Sequence, residues 1–234
     1  GGLTVNAGTL EVGAPGTMTL TSPANVQGGT LAVNGTLNGG VSVASGTLAG
    51  SGTVTGDVNF TGAGAGTLSA GNSPGTLTIG GNLALASNTT SVFQLGHAGV
   101  VGGASNDLVS VGGNLTLGGT LQAQASSAGW YRLFDYGGSL SGSFASQSVN
   151  IGASSVTGML DTSTAHQVNL TVLGASQTLQ FWNGTNTSTA AAGGAGGAGT
   201  WGPFGTNWVQ DVGTPGSPSY TNVGWANSVA VFGG

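Results

Sequence analysis

The sequence predicts an all-β fold wound as a parallel β-helix, with about three short strands per coil. Three observations predict it. A Gly-Thr-apolar phrase recurs, and Gly46-Thr47-Leu48, Gly52-Thr53-Val54, Gly66-Thr67-Leu68 and Gly75-Thr76-Leu77 fall within one stretch. Each apolar residue stands between Thr and a small or polar residue, the period-2 alternation of a strand with one buried face. Gly accounts for 49 of 234 residues, and no apolar pattern at i, i+3, i+4 persists. Each Gly costs a helix about 1 kcal/mol relative to Ala, so helix is excluded over most of the chain.

Taken in order, the phrases fall into sets. One begins at Gly8, Gly29, Gly46 and Gly66, a second at Gly16, Gly35, Gly52 and Gly75, and a third apolar position follows each pair. The triads are Leu10/Met18/Val26, Leu31/Leu37/Val41, Leu48/Val54/Val58 and Leu68/Leu77/Leu83, expected to stack in that order. Residues 75–125 continue as strands (76–79, 83–85, 91–95, 107–111, 114–117) punctuated by Gly-Gly pairs, with 96–106 as a loop leaving the coil. Residues 129–144 gather Trp130, Tyr131, Phe134, Tyr136 and Phe144 in a further strand and turn, and 150–173 holds two or three more strands. The texture then changes. Residues 1–174 form the β-helix; 175–234 read as the start of a further repeat module, with a Gly/Ala-rich flexible loop at 187–200 and Trp-rich strands.

Composition excludes several classes. The apolar fraction of 38% with charged residues at 3% is the reverse of a disordered chain. Arg132 is the single basic side chain, so no nucleic-acid backbone is bound. No run of about 18 apolar residues exists to make a membrane helix. The opening GGLTVNAGTL has neither a charged n-region nor an apolar h-region, so the chain reads as a mature form or an excised fragment. Without Cys there is no disulfide or thiolate metal site.

Motifs that suggest chemistry lack its context. Gly71-Asn72-Ser73-Pro74-Gly75 matches a hydrolase nucleophile elbow, but Pro74 and a strand follow where a helix is needed, so Ser73 reads as a turn residue. His97 and His166 lie in different neighbourhoods. Gly102–Asp107 only partly matches a calcium nonapeptide and does not recur, and the GxGxxG at 194–199 has no strand–helix frame. Of Glu11, Asp57, Asp107, Asp135, Asp161 and Asp211, only Asp135 and Asp161 are near one coil length apart. Arg132 with Asp135 can form an ion pair, of little weight if it is exposed. The Asn-x-Ser/Thr sites reflect Asn and Thr abundance. A Thr-x-Thr array on the second strands (Thr17, Thr19, Thr36, Thr53, Thr55, Thr76, Thr78) is weighed as an ice-binding face, against ordinary strand propensity. No residue is assigned a catalytic, cofactor-binding or metal-binding role, and no cofactor is expected.

At GGLTVNAGTLEVG (1–13), GTLAGSGTVTGDV with SAGNSPGTLTIGGNLAL (46–58, 69–85), NDLVSVGGNLTLGGTL with GWYRLFDYGGSLSGSF, and FWNGT…GTWGPFGTNW…GWANSVAVFGG (181–234), the chain resembles a bacterial autotransporter passenger domain. The kind is that built from autotransporter-associated β-strand repeats. The resemblance implies a right-handed, single-stranded β-helix, exported through the periplasm and outer membrane to the cell surface. It implies a translocating barrel elsewhere in the same polypeptide. The expected role is a structural stalk or adhesin segment, not an enzyme, whose partners are other passengers (self-association in aggregation or biofilm) or host and matrix ligands. A β-helical scaffold for a polysaccharide or ester hydrolase is the alternative, and ice binding a second. NDLVSVGGNLTLGGTL with GWYRLFDYGGSLSGSF resembles the stretch that usually precedes the autochaperone region or the membrane barrel, yet a new array opening follows it, so the chain is expected to be an internal segment, not itself membrane-embedded. Its sheet ends are then templates for end-to-end pairing unless residues 175–234 or a loop covers them.

Overall fold

Parallel backbone pairing between successive repeats gives this glycine-rich chain its order. The computed structural model describes residues 2–62, 64–71, 74–174, 177–185, 198, 206–211, 220–226 and 229–231. Among them every regular element is a β-strand. The chain divides into two compact units, Gly1–Val172 and Leu173–Gly234.

In the first unit, three rows of strands run up the molecule. Row one passes from Thr4–Val5 through the starts of Ala24–Val33 and Val41–Gly50 to Val58–Phe60, Leu83–Ala84, Leu115–Leu117 and Leu140–Gly142. Row two runs from Thr9–Val12 through the ends of the same two long strands to Gly66–Ala70, Thr89–Leu95, Thr120–Ala125 and Ser146–Ile151. Row three links Thr17–Thr19, Thr36–Asn38, Thr53–Val54, Thr76–Ile79, Leu108–Val111 and Gly129–Tyr136. All of these pairings are parallel, and the architecture is that of a β-solenoid.

The core is a set of vertical columns. Leu10, Leu31, Leu48 and Leu68 are stacked in direct register, the last three fully buried. Each such side chain contributes about 1.5–3 kcal/mol by burial. Two expected stackings are corrected. Val54 neighbours Ile79, not Leu77, and Val26 neighbours Val43 while Ala24 neighbours Val41. A two-residue slip keeps the same face inward, so alternation alone does not distinguish these registers. Toward the C-terminal end, aromatic residues enter the core: Phe93 meets Phe134 edge-on at 5.2 Å, and Tyr131 is fully buried with its hydroxyl donating to Ser127 O at 2.8 Å.

Ser91 interrupts the leucine column between Leu68 and Leu121, fully buried, its hydroxyl without a hydrogen-bond partner. An unpaired buried hydroxyl destabilises. Ser91→Ala is therefore expected to raise the unfolding free energy by about 1 kcal/mol, read as a higher urea midpoint at unchanged slope.

The corners between rows three and one are fixed by a side-chain ladder. Asp57 Oδ1 accepts from Asn82 N (2.7 Å), Asn82 Oδ1 from Asn114 N (2.8 Å), and Asn114 Oδ1 from Ser139 N (2.8 Å). Glycine at these corners is part of the device: a Cβ on Gly113 would lie 2.5 Å from Asn82 Oδ1.

Parallel stacking stops at the last repeat. Ser154–Val156 folds back antiparallel on Ser146–Ile151. Gln167–Val172 runs antiparallel to Gly129–Tyr136 and carries Gly158–Asp161 antiparallel on its other side. These reversed strands cover the C-terminal edges of rows two and three, one of the ways in which sheets avoid open templates. Row one ends on Leu140–Gly142.

In the second unit, a sheet runs Tyr220–Val223, Trp208–Asp211, Leu179–Trp182, Val229–Val231. Trp208 is buried between Trp182 and Trp225, at ring separations of 5.1 and 4.8 Å. Buried Gln180 donates to Gly224 O (2.9 Å) and accepts from Ala226 N (3.0 Å). The Gly/Ala stretch expected as a flexible loop at 187–200 lies outside the described residues, save residue 198.

Candidate interaction surface

The residues singled out for chemistry are kept apart by the fold. Asn72 and Ser73 lie outside the described residues; Gly75, after them, leads into strand Thr76–Ile79. His97 sits in the 96–106 loop. His166, at φ 64°, has its Nδ1 2.9 Å from Tyr136 O and its ring 5.5 Å from the Tyr136 ring. Asp135 and Asp161 stand on strands separated by Gln167–Val172, opposite Gln167 and Asn169 respectively. Two strand spacings and this two-residue offset put their Cα atoms roughly 12 Å apart. Among the described residues, no three of His, Asp and Glu converge.

Asn106 and Asp107 turn inward. Asn106, fully buried, accepts from His97 N (2.9 Å) and donates to the carbonyls of His97 (2.8 Å) and Val100 (2.6 Å), closing the 96–106 loop on itself. That loop carries Val100 and Val101, both exposed. Asp107, 2% exposed, accepts from Gln94 N (2.7 Å) and Gly75 N (3.0 Å), tying the start of Thr76–Ile79 to row two. Burial pushes its pKa from 3.8 up to about 6, against the opposing pull of those two amides. A carboxyl whose pKa is raised by folding holds its proton more tightly in the folded state, so stability falls as pH rises between the two values. The first unit is expected to lose up to about 3 kcal/mol between pH 4 and pH 7 from this group. Melting temperatures across that range should fall, and the Asp107→Asn variant should flatten the slope.

The outer face of row two is the most regular surface. Thr9, Thr30, Thr47, Thr67, Thr90, Thr120 and Ser146 stand in one unbroken register. Thr120 and Ser146 hydroxyls are 3.0 Å apart. Two outward positions further along the strands, past the row of Val92, Gln122 and Ser148, Gln94, Gln124 and Asn150 form an amide row. A shallow groove of about 290 Å³ lies over Val92, Gln122, Gln124, Ser148 and Asn150. A second, of about 230 Å³, shares Gln124 and reaches Gln94 and Pro74. Charge on this face is confined to Glu11 at its N-terminal end, whose carboxylate accepts from Asn34 Nδ2 at 2.8 Å. The sequence does not announce this row as a ladder, although four of its members open the first-set phrases; the step from Thr67 to Thr90 and Thr120 follows no fixed spacing.

The second-strand threonines behave differently. Thr17, Thr36, Thr53, Thr78, Ser110 and Asp135 share a column, while Thr76 pairs with Leu108. Thr55 lies past its strand and accepts from Gly39 N at 3.1 Å. The phrases starting at Thr17, Thr36 and Thr53 thus stack in register, and the fourth slips by two residues, placing Thr78 rather than Thr76 over Thr53.

No family model matches the chain, and no solved structure matches it. Over 126 residues the chain is 44% identical to the adhesin BmaC autotransporter of Brucella suis biovar 1 (strain 1330). The match takes in 51% of this chain and 4% of that protein. Half of this parallel-stranded chain is thus similar to a short part of an autotransporter adhesin.

Proposed function

We propose that the chain is a passenger segment of a cell-surface autotransporter, acting as a rigid, adhesin-type stalk. The supporting observation is the hydroxyl and amide surface of row two, charged only at Glu11, on a solenoid similar over half its chain to an autotransporter adhesin. In this reading the winding is a right-handed β-helix of about three strands per coil, and residues 175–234 open a further repeat module. The parent polypeptide carries the translocating barrel, and the segment is exported through it to the surface. Contact with a second passenger or a host surface runs through side-chain hydroxyls and amides, without catalysis or a cofactor. Charged contacts weaken as salt shortens the screening length, whereas these do not depend on charge.

The test is deletion of residues 1–172 from the parent protein, with surface display verified. Cell aggregation and adhesion are expected to fall, and the wild-type level is expected to hold from about 0.15 M to about 1 M salt. Aggregation and adhesion unchanged by the deletion would remove the adhesive role.

A further inference from the structure

The one basic side chain sits in a built cluster at the C-terminal end of the first unit. A regular strand points residues three apart to opposite faces. Here the register of Gly129–Tyr136 against Gln167–Val172 shifts between Arg132 and Phe134. That bulge, with Leu133 buried, returns Asp135 to the outer face beside Arg132. Arg132 Nη1 donates to Asp135 Oδ1 at 2.7 Å and Nε to Asn169 Oδ1 at 3.0 Å. Its guanidinium lies 5.3 Å from the centre of the Trp130 ring. Side-chain exposure is 15% for Arg132 and 37% for Asp135, so the pair is shielded on the arginine side and open on the aspartate side.

Cross-strand register orders this face into two rows. Trp130, Thr171 and Met159 form one, and Arg132, Asn169 and Asp161 form the next. Trp130 is half-buried, and Met159 (38%) and Asp161 are exposed. An apolar platform thus lies directly beside a row of planar groups that donate and accept hydrogen bonds in pairs. A pyranose has the matching two-sided chemistry: C–H faces that lie on an indole, and a rim of hydroxyls that pair with carboxylate and guanidinium. Arg132 is neutralised by Asp135, which leaves the one exposed carboxylate of Asp161 and disfavours an anionic ligand.

We propose that this face, on strands Gly129–Tyr136, Gln167–Val172 and Gly158–Asp161, is a binding site for an uncharged oligosaccharide. Trp130 and Asp161 touch the sugar; Asn169 and Asp135 are positioning residues that hold Arg132. The site names a ligand class for the adhesin reading and rests on that reading for its biological role alone. A flat, open face of this kind binds weakly, with Kd of about 1 mM.

The test uses the full chain, with cellotetraose and maltotetraose as neutral probes and a galacturonic acid oligomer as the charged control. At least one neutral probe is expected to shift the Trp130 indole N–H resonance saturably. Trp130→Ala should weaken binding about tenfold or more, and Asp161→Ala about fivefold, the latter at unchanged melting temperature. No saturable shift with either neutral probe overturns the site, as does tighter binding of the charged oligomer. Variants that lower the melting temperature and leave affinity unchanged would show a structural end cap only. Adhesion lost on deletion of residues 1–172 with no oligosaccharide binding would overturn this site and leave the adhesin reading standing. Binding in a segment whose deletion leaves adhesion intact would sustain the site and overturn that reading.

Discussion

Replacing Gly119 with alanine is expected to destabilise the first unit by about 3–5 kcal/mol. Gly119 joins Leu115–Leu117 to Thr120–Ala125 at φ +74°, a conformation that L side chains resist by roughly 1–2 kcal/mol. The larger cost is contact. An added Cβ would stand 1.9 Å from Thr89 O and 2.8 Å from its carbonyl carbon. Those atoms belong to the neighbouring repeat and cannot rotate away as a side-chain tip can. Relief requires opening the pairing of Thr90 with Thr120, hence loosening the hydroxyl row at that rung. Gly152 supplies the control: its φ is +59°, yet nothing lies within 4 Å of the position an added Cβ would take. Gly152→Ala should cost about 1 kcal/mol, the conformational part alone. Equal midpoint shifts for the two variants in urea denaturation would remove the close-approach argument.

That contrast marks where the sequence is readable. Glycine abundance announces corners, and the Gly-Thr-Leu phrases place Leu10, Leu31, Leu48 and Leu68 in one column, as the register does. Which glycine is indispensable depends on what the preceding rung places against it, and that is a three-dimensional quantity. The same limit explains Val26 and Leu77. Both face inward, as alternation predicts, yet their true neighbours lie two residues from the expected ones. The corner ladder leaves a visible trace in Gly81-Asn82-Leu83, Gly113-Asn114-Leu115 and Gly138-Ser139-Leu140. It is hard to read because its members differ in residue type while sharing one place in the corner. At the C-terminal end, strand content is legible between residues 150 and 173, but direction is not. Alternation is the same in a parallel and an antiparallel strand, so the reversal of Gln167–Val172 carries no period of its own. The Arg132 cluster depends in turn on that reversal and on a bulge, and neither has a composition signal.

Leu48→Ala is expected to cost about 4 kcal/mol, in the upper part of the range for truncating a buried leucine. The spread within that range reflects how far surroundings can collapse into the space. Here collapse is restricted vertically. Leu31 and Leu68 flank Leu48 in register, and their backbones are pinned to it through Thr47 and Ala49 on both sides. Rungs held about 4.8 Å apart by backbone hydrogen bonds cannot close over a missing side chain. Because each repeat is stabilised mainly by its neighbours, the loss also divides the stack at its middle. Hydrogen exchange should then rise at Thr47–Ala49 and in the paired residues Thr30–Ala32 and Thr67–Ser69, with little change at Val109–Val111. A uniform rise across the unit would instead mean that the solenoid unfolds as one cooperative body, and the nearest-neighbour account of its stability would not hold.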